Sequence, residues 1–156
     1  MMRQALVCVV AALLAGACAH APPLNTPASP QTIACTRTGT AMTVERAGAR
    51  ISATAQGSGP GVLLIPSLGR GPADFEDLAA SLLRDGRRVI RYEPRWFGAS
   101  DGPEAADLFA LAEDALAVAD ALCGAPVDIV GHAFGNRVAR AAATAHPDRV
   151  RGVALL

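Results

Sequence analysis

Lysine is absent from this chain of 156 residues. Its 14 basic residues are all arginine, and 14 acidic residues bring the formal net charge to zero. Nothing along the sequence forms the basic patch that nucleic acid requires, so a nucleic-acid partner is excluded. Arginine without lysine, beside abundant alanine, reflects a GC-rich genome rather than a function. Histidine is scarce: His20, His132 and His146 are the three candidates for a general base. His, Cys, Asp and Glu nowhere cluster at metal-ligand spacing, so neither a metal nor a cofactor is expected. Internal repeats are missing as well. What is present, 51% hydrophobic residues in a short chain, suffices for one domain with a buried core.

Part of that hydrophobic content lies at the N-terminus. One arginine, Arg3, precedes an apolar run from Ala5 to Ala17 that is short for a bilayer span and has the form of a secretory signal. Its end, Leu14-Ala15-Gly16-Ala17-Cys18, resembles a bacterial lipoprotein processing site, which implies lipidation of Cys18. Ordinary cleavage after Ala17-Cys18-Ala19 is the rival. Export to the bacterial cell envelope follows from either, and a membrane partner through the lipid follows from the first. The expected organisation is a signal peptide over 1–18, a flexible Pro/Ala/Ser/Thr-rich tether over 19–40, and one partial domain over 41–156. Cys8 belongs to the signal, which leaves Cys35 and Cys123. In an oxidising compartment these two could form a disulfide; two free thiols fit the sequence equally.

Beyond the tether the periodicity is informative. Ala41 to Glu45 and Arg50 to Ala55 alternate and read as a hairpin joined by Arg46-Ala47-Gly48-Ala49. Val62 to Ile65 is a continuous apolar run, as in a strand buried on both faces. Pro72 to Asp85 reads as a helix, with Phe75, Leu78, Ala79, Leu82 and Leu83 on one stripe. Arg88 to Tyr92 is the next strand, and Glu93 to about Glu104 a loop. Asp107 to Leu122 is a second helix, apolar along Leu108, Leu111, Ala115, Ala119 and Leu122. Val127 to Val130 is a strand that runs into a glycine-framed turn. Phe134 to Ala145 is a third helix, stopped by Pro147, and Val150 to Leu156 is a last strand. Alternation of this kind predicts an α/β fold, with a mostly parallel sheet and helices on both faces behind an antiparallel hairpin.

Four segments carry chemistry. Leu64-Ile65-Pro66-Ser67-Leu68-Gly69 follows the third strand, and Glu93-Pro94-Arg95-Trp96-Phe97-Gly98-Ala99-Ser100 follows the fourth. Gly131-His132-Ala133-Phe134-Gly135-Asn136 follows the fifth, and Ala145-His146-Pro147-Asp148-Arg149-Val150 leads into the sixth. The third of these has the frame of a Gly-x-Ser-x-Gly nucleophile elbow with alanine where the serine belongs. Together, in this order and spacing, the four segments resemble the α/β-hydrolase family from Gly61 onward. The resemblance implies a three-layer fold related to serine esterases and similar hydrolases. It also implies an oxyanion hole from the Leu68 and Phe134 amides, and ligand binding where strand order reverses between the third and fifth strands. Ser67, Arg70 and Arg95 are candidates for the pocket rim, where the two guanidinium groups would clamp a carboxylate or phosphate. Solvated loop arginines are the alternative.

Acyl transfer through such an elbow needs a nucleophile, a base and a group that orients the base. Ala133 has no oxygen. The family's acid and histidine follow the sixth strand, so they are not in this sequence, which reads as a longer hydrolase-like protein cut short. His132 is placed to brace the turn, and His146 stands at the far end of the third helix. Cys123 precedes the fifth strand, roughly 20 Å from the elbow at about 3.3 Å per residue. The expectation is therefore a hydrolase-fold protein without hydrolase activity. The alternatives are an envelope lipoprotein that binds a small acyl or carboxylate ligand, and a nucleophile-independent enzyme of the same fold in a longer form.

Overall fold

The computed structural model describes Gly39 and residues 41–122 and 126–156; Cys18, Cys35, Cys123 and His20 lie outside the described residues. Ten elements follow one another in it. β1 (Met42–Arg46) and β2 (Ala49–Gln56) form the hairpin. Its turn is tighter than the sequence reading gave, because Arg46 already pairs with Ala49. Only Ala47 and Gly48 are left to turn the chain, with φ of 47° and 75°. Two successive positive φ values mark the hairpin turn whose twist matches that of the flanking strands.

β3 (Gly61–Ile65), β4 (Arg88–Tyr92), β5 (Val127–Gly131) and β6 (Val150–Leu155) complete a six-stranded sheet of order β1-β2-β4-β3-β5-β6. β2 meets β4 antiparallel, while β3, β4, β5 and β6 are parallel neighbours. The chain moves from β3 outward to β4, then returns to the other side of β3 for β5. The crevice at the C-terminal ends of β3 and β5 is therefore a topological switch point.

Helices cover both faces. On one, Val62, Leu64 and Val89 pack with Phe75 and Ala79 of the segment between β3 and β4. That segment is not one helix, as its stripe suggested. Pro72–Phe75 is a 3-10 turn, and α1 proper is Glu76–Arg84. The entry residue Gly71 is extended and supplies no side-chain cap. Proline brings no N–H to the first turn, and the Asp74 N–H closes the tighter ring on Gly71 O at 3.3 Å.

On the opposite face, Leu63, Ile65, Ile90 and Ile129 pack against α2 (Leu108–Leu122) and α3 (Phe134–Ala145). α2 touches both the sheet and α3, so it is buried over more of its circumference than the predicted stripe. Ala112, Leu116 and Val118 are inside, and so is a carboxylate, Asp114. β6 is an outer strand with one buried residue, Val150, and Val153 and Leu155 are exposed along it. Among the described residues no helix is long and apolar enough to cross a membrane.

Candidate functional site

β5 and α3 meet with almost no connecting chain, so the backbone must reverse within His132 and Ala133. The Gly135 N–H donates to His132 O at 2.8 Å and the Asn136 N–H to Ala133 O at 3.1 Å. This tightness explains both glycines. A Cβ on Gly131 would lie 2.6 Å from Gly135 O, and one on Gly135 would overlap Ile65 O and lie 2.8 Å from Pro66 O. Gly135 therefore lets α3 approach the end of β3. Ala133 carries the strain of the turn, with φ 50° and ψ −108°, a region that L-residues rarely occupy. Its methyl is exposed at the point where an elbow displays its nucleophile.

Three neighbours hold this turn. The His132 N–H donates to Ile65 O at 3.0 Å, tying the turn to β3. The Ala133 N–H donates to Leu156 O at 3.2 Å, and the Leu156 N–H to Gly131 O at 2.9 Å. Asn136 adds a side-chain clamp: its Nδ2 donates to Leu156 O at 2.9 Å, and its Oδ1 accepts from the Leu156 N–H at 3.3 Å. In the sequence Asn136 was only the letter after the motif. An amide at N3 of a helix beginning directly after a strand was the available signal.

The His132 ring lies edge-on to Phe75, with centroids 6.4 Å apart and planes at 85°. Its buried Nδ1 has no hydrogen-bond partner among the described residues. His146 is far from the elbow, at the other end of α3, and pairs with Glu113 of α2. That hydrogen bond is the main reason the Glu113 carboxyl titrates below its usual range.

A cavity of about 210 Å³ opens beside the elbow. Residues 65–69, the β4 end with its loop 94–97, Leu111, Phe134 and Val138 line it. Ser67 and Leu68 are thus at the cavity, as is Phe134. Among the described residues the Leu68 and Phe134 N–H groups have no acceptor, whereas the neighbouring amides of the turn do. Leu68 and Trp96 are 68% and 56% exposed and form an apolar mouth.

The sequence left the two arginines open between an anion clamp and solvated loop residues, and in the structure each pairs with a carboxylate. Arg95 reaches the cavity wall, but its guanidinium is buried and bound to Asp114. Nε and Nη2 donate to the two carboxylate oxygens at 2.6 and 2.9 Å, and Nη1 to Pro103 O at 2.9 Å. The Asp114 bond is the principal reason the Arg95 guanidinium holds its proton more firmly. Arg70 is exposed and makes a two-pronged pair with Asp74 at 2.7 and 2.5 Å. That pair lowers the Asp74 carboxyl pKa. Both groups face carboxylates of this chain instead of a ligand. The sequence hid this because Asp114 lies 19 residues after Arg95, inside a helix whose other buried positions are apolar.

The loop after β4 is fastened with equal care. Ser100 Oγ donates to Glu93 O at 2.7 Å and accepts from the Ser52 N–H at 2.8 Å. The Glu93 carboxylate accepts from the Ala99 N–H at 2.8 Å. Among the described residues no group of three or more His, Cys, Asp or Glu side chains could hold a metal ion.

A mostly parallel sheet, a strained strand-to-helix turn at its switch point and a pocket beside that turn define a class of α/β proteins with an elbow site. Residues 60–156 match the family model described as alpha/beta hydrolase fold, and the chain belongs to that family. It is 34% identical over 116 residues to 2-hydroxymuconate semialdehyde hydrolase of Pseudomonas sp. (strain CF600), covering 70% of this chain and 40% of that one. Among solved structures it is similar to Epoxide Hydrolase A from Mycobacterium thermoresistibile, with TM-score 0.69 and 27% identity, over 74% of this chain and 38% of that one. The esterase EaEST from Exiguobacterium antarcticum gives TM-score 0.69 and 25% identity, over 74% of this chain and 44% of that one. The chain thus spans less than half the length of these relatives.

Proposed function

We propose that this protein uses the α/β-hydrolase fold to bind a small ligand without covalent catalysis at residue 133. One observation carries the proposal. The elbow keeps its strained geometry, its glycine frame and the adjoining pocket, yet the residue it displays is Ala133. Acyl transfer by this route requires an oxygen or sulfur nucleophile and a base in reach. The two described histidines are His132, whose ring is turned to Phe75, and His146, which is bound to Glu113. A dismantled triad with an intact oxyanion site and pocket still accelerates hydrolysis roughly 10³–10⁴-fold over water. That is far below a working esterase.

The test is hydrolysis of 4-nitrophenyl butyrate by the chain and by Ala133→Ser. Neither is expected to show burst kinetics or turnover of a working esterase, because a serine alone restores no base. Rapid, saturable hydrolysis by the unaltered chain would refute the proposal. The structural relatives named as hydrolases support the fold of the site, and this chain's residue 133 supports the loss of chemistry.

Export and lipid anchoring through Cys18 belong to the same proposal, on the strength of the apolar run 5–17 and the Leu14 to Cys18 segment. Metabolic labelling with a radioactive fatty acid is expected to mark the protein and to fail in Cys18→Ser. An unlabelled wild type in the membrane-free fraction would overturn the anchor.

A further inference from the structure

We infer that Trp96 selects a flat, unsaturated ring for the cavity at whose mouth it stands. This rests on the proposed ligand-binding role of the site and adds a specificity-determining residue to it. The chain is poor in aromatic side chains, with four Phe, one Trp and one Tyr in all. Four of those six, Tyr92, Trp96, Phe97 and Phe134, line this one cavity. Of the others, Phe75 packs on the opposite face of the sheet and Phe109 is exposed on α2. Aromatic side chains hold flat rings in offset or edge-on arrangements, and such pairs contribute beyond the area they bury.

Trp96 is the member of this set that folding does not explain. Among the described residues three that are not glycine have positive φ: Ala47, Trp96 and Ala133. Ala47 turns the hairpin and Ala133 turns the elbow. Trp96, at φ 63°, is a bulky side chain on backbone that favours glycine. The indole is 56% exposed, so burial offsets little of that cost. Its Nε1 donates to Gly102 O at 3.0 Å, in an exposed hydrogen bond that stabilises weakly. The neighbours on either side hold the strained backbone. Arg95 is fixed by Asp114 and by Pro103 O, while the Phe97 N–H donates to Pro94 O at 3.0 Å and its ring lies where a Cβ on Gly71 would be. Strain kept in place by its surroundings, with so little gained in folding, points to a use for the residue. The use that its position offers is contact between the exposed indole and a ligand in the cavity.

The experiment is isothermal titration of the full 156-residue chain with benzamide and with cyclohexanecarboxamide. The two compounds share a neutral carboxamide and a six-membered ring, and differ in the flatness and unsaturation of that ring. The unengaged Leu68 and Phe134 N–H groups can donate to the amide oxygen of either, so they do not enter the ratio. Apolar burial alone favours the saturated ring. The expected result is benzamide binding roughly threefold or more tighter. That preference is expected to persist in Trp96→Phe and to vanish in Trp96→Leu; both replacements carry the strain at position 96, so the ring is what separates them. Trp96→Gly, which relieves the strain, is a second variant without a ring, and it is expected to lose the preference while melting no lower than the wild type. Equal binding of the two compounds by the wild type overturns the ring selection and leaves the cavity as a ligand site. A preference that survives in Trp96→Leu and Trp96→Gly overturns the assignment to Trp96. Failure of both compounds to bind overturns the binding role itself, and this inference with it.

Discussion

Replacing Ala133 with glycine is expected to stabilise the protein, against the usual direction for a glycine substitution. Ala133 holds φ 50° and ψ −108°. Strain of this kind costs about 1–3 kcal/mol in a residue that bears a Cβ. The substitution loses no burial, because the methyl is exposed, and no cap, because the alanine makes no side-chain hydrogen bond to α3. The opposing effect is the greater freedom of glycine in the unfolded chain, about 0.4–1 kcal/mol. The difference favours Ala133→Gly by roughly 1 kcal/mol, with about 2.5 kcal/mol as the upper bound. In a domain of this size roughly 1 kcal/mol raises the melting temperature by about 4 °C.

Ala143→Gly gives the contrast within the same helix. Position 143 lies inside α3 in ordinary helical geometry. Glycine there is expected to lower stability by about 0.5–1 kcal/mol. Urea denaturation of the wild type and both variants, with unchanged m-values, reads the two signs side by side. A loss of stability in Ala133→Gly equal to that in Ala143→Gly would refute the claim that the elbow stores strain at residue 133.

Gly135→Ala acts on the same turn from the opposite direction. Its Cβ would overlap Ile65 O, a backbone atom of β3 that cannot rotate away, so α3 must shift. Chemical denaturation is expected to show a loss of about 1–3 kcal/mol, the range of overpacked cores; a neutral result would mean that the contact between α3 and β3 is slack. A different prediction concerns acid. The His146 hydrogen bond holds the Glu113 carboxyl below its ordinary 4.5, against a smaller opposing effect of burial. The unfolded chain therefore binds the proton more tightly, so this contribution is present above pH 4.5 and fades as pH falls through the folded value below it. His146→Ala is expected to be less stable than wild type near neutral pH, with the gap closing below about pH 4.5; a gap that stays constant through acid titration would show that the pair contributes nothing through Glu113 ionisation.

The strands were legible in the sequence because their signal is local. β3 is Gly61 followed by four apolar residues, all buried, and β4 matches its expected bounds, Arg88 to Tyr92. Where the structure departs from the sequence reading, the cause is backbone geometry at a helix start or a partner elsewhere in the chain. The first helix begins as a 3-10 turn because of how Gly71 and Pro72 enter it, which a stripe of apolar residues does not register. α2 is buried beyond its stripe because α3 lies against it, in keeping with a segment in which only Glu113, Asp114 and Asp120 are polar. Arg95 reads equally as a ligand clamp or a solvated loop residue, and it is Asp114, two-pronged on its guanidinium, that decides its place. At the elbow the case is reversed. Gly131 and Gly135 were readable because each has one tolerable side chain, a hydrogen, at a fixed spacing from the turn.

The backbone of Ala133 is fixed from three directions that do not depend on the residue's own side chain. Gly135 seats α3 on the end of β3, the His132 N–H bonds Ile65 O, and Asn136 together with Ala133 and Gly131 grips Leu156 at the end of β6. Strain at one residue persists when its surroundings over-determine it. The side chain at position 133 is exposed, so alanine and serine there differ little in packing. The frame positions have no such freedom, since each is a contact between elements of the core. The site accordingly divides into a frame set by folding and a displayed group set by function. In this chain the frame is complete, while the displayed group is a methyl.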